Sequence, residues 1–162
     1  MSLGENVGKI WKLMRDHPTC MMVSRDENGV MRARPMHAIV EEGASELWFY
    51  TRLSSGKSDE IGSDGEVCLC FASISETEFV SISGMATLVT DQARIAKNWN
   101  TFVDAWFPEG PEGGDAAMIR VEPDHGEYWD GDSSAILAAL KMTLASHRDE
   151  TPDLGENMKV TF

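Results

Sequence analysis

The chain has 162 residues and 17.9 kDa, with 42% hydrophobic and 25% charged residues, the size and composition of one globular domain that needs no disulfide or metal to hold a core. Its net charge of 14 − 27 = −13 repels a phosphate backbone and argues against nucleic acid as a partner. No run of about eighteen apolar residues is present, so no membrane span is expected. An odd number of cysteines, no CxxC or HExxH pattern and no apolar signal segment point to a reduced, metal-free, cytoplasmic protein.

Val7, Ile10, Trp11 and Met14 recur at helical spacing, predicting an amphipathic helix over 4–16 that Pro18 stops. Thr19 to Ser24 reads as a strand, Asp26-Glu27-Asn28-Gly29 as a turn, and Val30 to Val40 as the returning strand of a hairpin. Leu47 to Tyr50 is an aromatic-rich strand, followed by a polar loop and a short helix from Lys57 to Gly62. Val67, Leu69 and Phe71 alternate with Cys68 and Cys70, read as core-type thiols in another strand. Glu78 to Val89 is a long strand in which Gly84 marks a bulge or tight bend. Asp91 caps a helix on which Ile95, Trp99, Phe102, Val103 and Trp106 share a face, and Pro108 ends it. Residues 116–122 and 125–130 read as two last strands, 133–147 as a final helix and 149–162 as a polar tail, all within one domain over 1–162. This order gives a mainly β fold with flanking helices, an antiparallel barrel closed by bends.

No dinucleotide fingerprint, phosphate loop or nucleophile elbow occurs. With cations scarce, their positions are informative. Arg32 and Arg34 share one strand face, and Pro35 beside them removes a ladder donor, which places the segment at an edge or bulge. Further on, Tyr50-Thr51-Arg52-Leu53-Ser54-Ser55-Gly56-Lys57 offers hydroxyls and a lysine before a helix start, where free N–H groups favour anions. Arg34 and Lys57 for charge, with Thr51 and Ser55 for neutral hydrogen bonds, make a phosphate pocket. The competing reading, equally open from spacing alone, is of ordinary exposed basic residues. Trp99 and Phe102 are expected in the core, and His37 as a hydrogen-bonded polar residue rather than a haem ligand.

Five motifs in order alter that balance: Arg-Pro-Met at 34–36, Trp-Phe-Tyr-Thr at 48–51, Val-Ser-Ile-Ser-Gly at 80–84, Ala-Trp-Phe-Pro-Glu-Gly at 105–110 and Glu-Tyr-Trp-Asp at 127–130. Together they resemble the pyridoxamine 5'-phosphate oxidase-like proteins, in the general stress protein 26 branch. The resemblance implies an FMN-binding split β-barrel whose flavin mononucleotide (FMN) is held by Arg32, Arg34, Pro35, Met36, Tyr50, Thr51, Ser55 and Lys57. It further implies a homodimer with the flavin at the interface, so that Trp106 of one protomer reaches the flavin of its partner. Gly56 stands where the pyridoxal-phosphate-forming oxidases carry arginine, and the segment from Asp149 to Glu156 is acidic, so their substrate does not carry over. The functions implied are a flavin-dependent oxidoreductase with unidentified small-molecule electron donor and acceptor, or a flavin carrier, buffer or redox sensor without turnover. Haem binding on the same barrel is the third reading. No general acid or base stands out, and no catalytic residue is assigned.

Overall fold

The computed structural model describes residues 3–131 and 156–162. Helix α1 (Leu3–Asp16) leads into the hairpin β1 (Thr19–Arg25) and β2 (Met31–His37), then β3 (Leu47–Arg52), α2 (Gly56–Ser63), β4 (Glu66–Ser73) and β5 (Glu78–Val89). Two short helices, α3 (Gln92–Lys97) and α4 (Thr101–Trp106), precede β6 (Ala116–Asp130) and β7 (Glu156–Thr161). The strands form one antiparallel sheet in the order β2-β1-β4-β5-β6-β3, with β7 on β6. A bridge between Ile39 and Trp48 joins the end strands β2 and β3, closing the sheet into the antiparallel split barrel expected from the sequence.

Local chemistry explains the elements. In the β1–β2 turn, Asp26 accepts from the N–H groups of Asn28 and Val30, both at 2.9 Å, and Gly29 takes φ 77°, which costs glycine little. Along β4, Val67, Leu69, Phe71 and Ser73 turn inward. Val67, Leu69 and Phe71 meet Met22, Phe49, Val80, Ile82 and Ile119 in the barrel core, and Ile10, Leu13 and Met14 of α1 join the same cluster. Cys68 and Cys70 face outward on β4, half-buried and exposed, so of the three free thiols Cys20 alone is a core residue. Burial pushes the Cys20 thiol up to about 12.

Three expectations are corrected. Strand β6 runs unbroken through 116–130 because Pro123 and Asp124, turn-like in sequence, fall at the bulge opposite Ser83 and Gly84. The helix expected after Asp91 is two helices. Asp91 caps the first by accepting from Arg94 N–H at 2.8 Å, and Asn100 caps the second by accepting from Phe102 and Val103. Residues 156–161, expected in a polar tail, form β7, anchored by buried Val160 opposite Gly126. The helix expected at 133–147 lies outside the described residues.

At the bulge, a Cβ on Gly84 would stand 2.3 Å from the Glu122 carbonyl oxygen. Gly84→Ala therefore has to push two backbones apart, and it is expected to cost about 1–3 kcal/mol. Urea unfolding checks this: an unchanged midpoint would show that the β5–β6 contact yields freely.

Candidate functional site

Strands β2 and β3 touch at the Ile39–Trp48 bridge, where each residue's N–H reaches the other's carbonyl, at 2.7 and 3.1 Å. An antiparallel ladder continued from there would set His37 opposite Tyr50 and Pro35 opposite Arg52. No such pairing forms. Pro35 has no N–H to give, and the strands part. A cleft of about 600 Å³ fills the gap, within the roughly 300–1,000 Å³ usual for cofactor and small-molecule sites.

Its walls come from four segments: Pro35, Met36, His37 and Ile39 of the β2 side; Tyr50, Thr51, Arg52 and Ser55 around the end of β3; Asn98 and Asn100 between the helices; and Phe102, Val103, Trp106 and Phe107 of α4 and its end. The far side of β3 fixes its orientation. Tyr50 donates its hydroxyl to the Ile95 carbonyl at 2.7 Å and meets Trp99 edge-on at 5.7 Å. Phe107 completes that aromatic cluster over buried Ile95, Val103 and Met118. Behind it, the Arg94 guanidinium lies 3.8 Å from the Trp48 ring centroid and pairs with Glu41 at 3.2 Å.

The polar end of the cleft is the turn between β3 and α2. Ser55 donates to the Arg52 carbonyl at 2.8 Å and lies 3.3 Å from the Thr51 hydroxyl. Arg52 bonds Asp115 at 2.7 Å and Glu109 at 2.9 Å, and it also donates to the Trp106 carbonyl. The Ser54 N–H, followed by Arg52, holds the Asp115 carboxyl below its ordinary range. Glu109 is lowered likewise by its own backbone N–H and by Arg52. One guanidinium thus ties the end of β3 to the segment between α4 and β6.

Of the residues singled out from sequence, the structure brings Pro35, Met36, Tyr50, Thr51, Ser55 and Trp106 to this cleft, Trp106 lining the cleft of its own chain where the resemblance implied contact with that of a partner. It does not bring the two arginines of β2. Arg32 pairs with Asp26 at 3.2 Å. Arg34 meets Glu60 through both Nη atoms, at 2.6 and 3.0 Å, and reaches Ser24 at 3.3 Å. Lys57 stands in the first turn of α2, and its side chain lies outside the described residues. Phe102, expected in the core, is 61% exposed and lines the cleft, because α4 is a separate helix turned relative to the expected one. His37 also lines the cleft, its ring 5.8 Å from Phe102. Sequence reasoning missed Arg52, although cation scarcity and its place between Thr51 and Ser55 were signals for it.

Arg52→Met is expected to loosen residues 107–115 without unfolding the barrel. Hydrogen exchange checks this: faster amide exchange confined to 107–115 is the expected result, and unchanged protection there would show that the clamp carries no load.

The profile of the family described as pyridoxamine 5'-phosphate oxidase like matches residues 5–153. Protein bli-3 of Neurospora crassa is 31% identical over 130 residues, covering 74% of this chain and 62% of that protein. The chain thus spans under two thirds of the length of this curated relative. Among solved structures, the general stress FMN/FAD binding protein of Xanthomonas citri is 32% identical with a TM-score of 0.69, covering 78% of this chain and 89% of that one. A pyridoxamine 5'-phosphate oxidase-related, FMN binding protein of Nostoc punctiforme shares the fold over 100% of this chain and 97% of its own, with a TM-score of 0.65 at 14% identity.

Proposed function

The chain belongs to the pyridoxamine 5'-phosphate oxidase-like family, and from that membership we propose that the cleft between β2, β3 and α4 binds a flavin, FMN in particular. The observation that carries the reading is the cleft itself. Its apolar walls from Pro35, Met36, Phe102 and Trp106 suit a flat ring system, and Thr51 and Ser55 gather hydroxyls at the β3–α2 turn. These side chains fit a planar ligand with a polar tail. The similarity to an FMN/FAD binding protein at 32% identity supports the same ligand class.

When bound, a flavin supplies one- and two-electron transfer, and the protein supplies position and environment. Pro35 removes the donor that would otherwise close the β2–β3 ladder, which keeps the cleft wide. Tyr50, bonded to the Ile95 carbonyl, is held against the cleft wall. Arg52, bonded to two acids, contributes little net charge. A flavin-dependent oxidoreductase acting on a small molecule is the first form of this function. A flavin carrier or redox sensor without turnover is the second, and one observation favours it: the Tyr50 hydroxyl is committed to the Ile95 carbonyl, which takes it out of proton transfer in the cleft.

The test is a titration of the purified chain with FMN and with riboflavin, followed by flavin fluorescence. FMN is expected to bind, and Trp106→Ala to weaken it by roughly tenfold without changing the unfolding midpoint, since this side chain is 64% exposed and one aromatic contact is typically worth about 0.5–1.5 kcal/mol. Absence of flavin binding would sink the reading. Anaerobic reduction by a nicotinamide and reoxidation by candidate acceptors separates the enzyme from the carrier.

A homodimer belongs to the same proposal. Phe102 and Trp106 leave apolar surface open at the cleft mouth, and Met21, Met31, Phe79, Met85 and Trp129 leave more on the outward side of the sheet. Exposed apolar side chains at the mouth of the cleft support an interaction there, and a second copy is the partner that the family suggests. Sedimentation at micromolar concentration is expected to give about twice the chain mass. A monomer that binds FMN tightly would contradict it.

A further inference from the structure

We propose that Glu60 sets how strongly this cleft prefers a phosphorylated ligand, by competing with the ligand's phosphate for Arg34; the proposal rests on the flavin reading. Arg34 immediately precedes Pro35 and Met36, two residues of the cleft wall. Helix α2 begins directly after Ser55, another wall residue, and carries Glu60 five residues on, a rise of about 7.5 Å. Arg34 does not line the cleft while it is bonded to Glu60; the competing anion is a ligand phosphate lying by Ser55 and the start of α2.

In the structure Glu60 holds the arginine. Both Nη atoms face the Glu60 carboxylate at 2.6 and 3.0 Å, and the Ser24 hydroxyl donates to the same carboxylate at 2.6 Å. The arginine and glutamate side chains are 24% and 13% exposed, so water screens the pair only in part. A guanidinium fork accepts carboxylate and phosphate in the same geometry. An arriving phosphate must therefore draw Arg34 from Glu60 or share it. The Arg34 hydrogen bonds also hold the Glu60 carboxyl below its ordinary value, so the competitor stays ionised at neutral pH. A flavin without phosphate makes no such demand. Glu60 thus weakens FMN and leaves riboflavin alone, which makes cofactor exchange easier than an unopposed arginine would allow.

The experiment compares FMN and riboflavin affinities, by flavin fluorescence, in the full chain and three variants. Glu60→Gln keeps the size and an acceptor oxygen for Arg34 but removes the charge. It is expected to raise the FMN-to-riboflavin affinity ratio roughly tenfold, the scale of one charge-assisted hydrogen bond. Arg34→Gln together with Glu60→Gln should abolish that gain. An unchanged or lower ratio in Glu60→Gln, or a gain that survives loss of Arg34, overturns the proposal. If Glu60→Gln does not fold, Glu60→Asp, whose shorter reach weakens the paired contact, should shift the ratio the same way by a smaller factor, and an unmoved ratio there overturns it. Absence of both flavins from the wild-type chain overturns the flavin reading and this proposal with it. Binding with an unmoved ratio overturns this proposal alone.

Discussion

Between β2 and β3 the backbone ladder amounts to one bridge, Ile39 to Trp48, and the site depends on its stopping there. Elsewhere the sheet pairs without such a gap: β1 meets β2 over seven residue pairs and β3 meets β6 over six. Unpaired backbone in a barrel wall is costly unless water or a ligand takes its place. A proline at 35 makes continuation of the ladder unprofitable, and the two strands diverge around a cleft. Each strand is meanwhile held rigid on its other side, β2 by β1 and β3 by β6. The residues of β2 and β3 that face the gap are therefore held in place without pairing across it, which is what a preformed binding site requires.

Strand β6 supplies the second constraint. Its first half pairs β3 and its second half pairs β7, with β5 along its other side throughout. A strand shared in this way must bend, and the bulge at Ser83 and Gly84 provides the bend. Gly84 lets the Glu122 carbonyl approach closely. The same bend sets the angle at which Ala116, Ala117 and Met118 present β3, and so the positions of Tyr50, Thr51 and Arg52. The small residue at 116 allows the close packing over which Phe107 and Trp99 settle.

What was legible in the sequence follows from how local each signal is. Strand β5 and its bulge were readable because alternation and a lone glycine lie in one segment. The hairpin was readable because Asp26 and Gly29 form their own turn. Strand β6 reads as broken in the sequence because Pro123 and Asp124 carry turn chemistry that only a neighbour at the bulge neutralises. The separate α4 had a local signal, Asn100 as a cap, that the shared apolar face of Ile95, Val103 and Trp106 obscured. Six residues of the site were legible through family motifs. The partners of its cations were not, since Glu60 lies 26 residues from Arg34, and Glu109 and Asp115 lie 57 and 63 from Arg52.

Those partners say how a chain of net charge −13 handles its few cations. Asp26 takes Arg32, Glu60 takes Arg34, Glu41 takes Arg94 and Lys97, and Asp115 with Glu109 takes Arg52. An acidic surface makes such pairing the default, because each guanidinium finds a carboxylate more easily than a free anion does. Arg34 and Arg52, the described arginines nearest the cleft, both have carboxylate partners, so on the proposed reading a phosphate there would be held by exchange, one acid leaving as another arrives. Exchange keeps the apoprotein's arginines satisfied and stable, and it lowers the affinity that the same arginines would otherwise provide. On that reading, an abundance of acids adjusts how tightly the cleft would hold an anionic ligand without altering the shape that admits it.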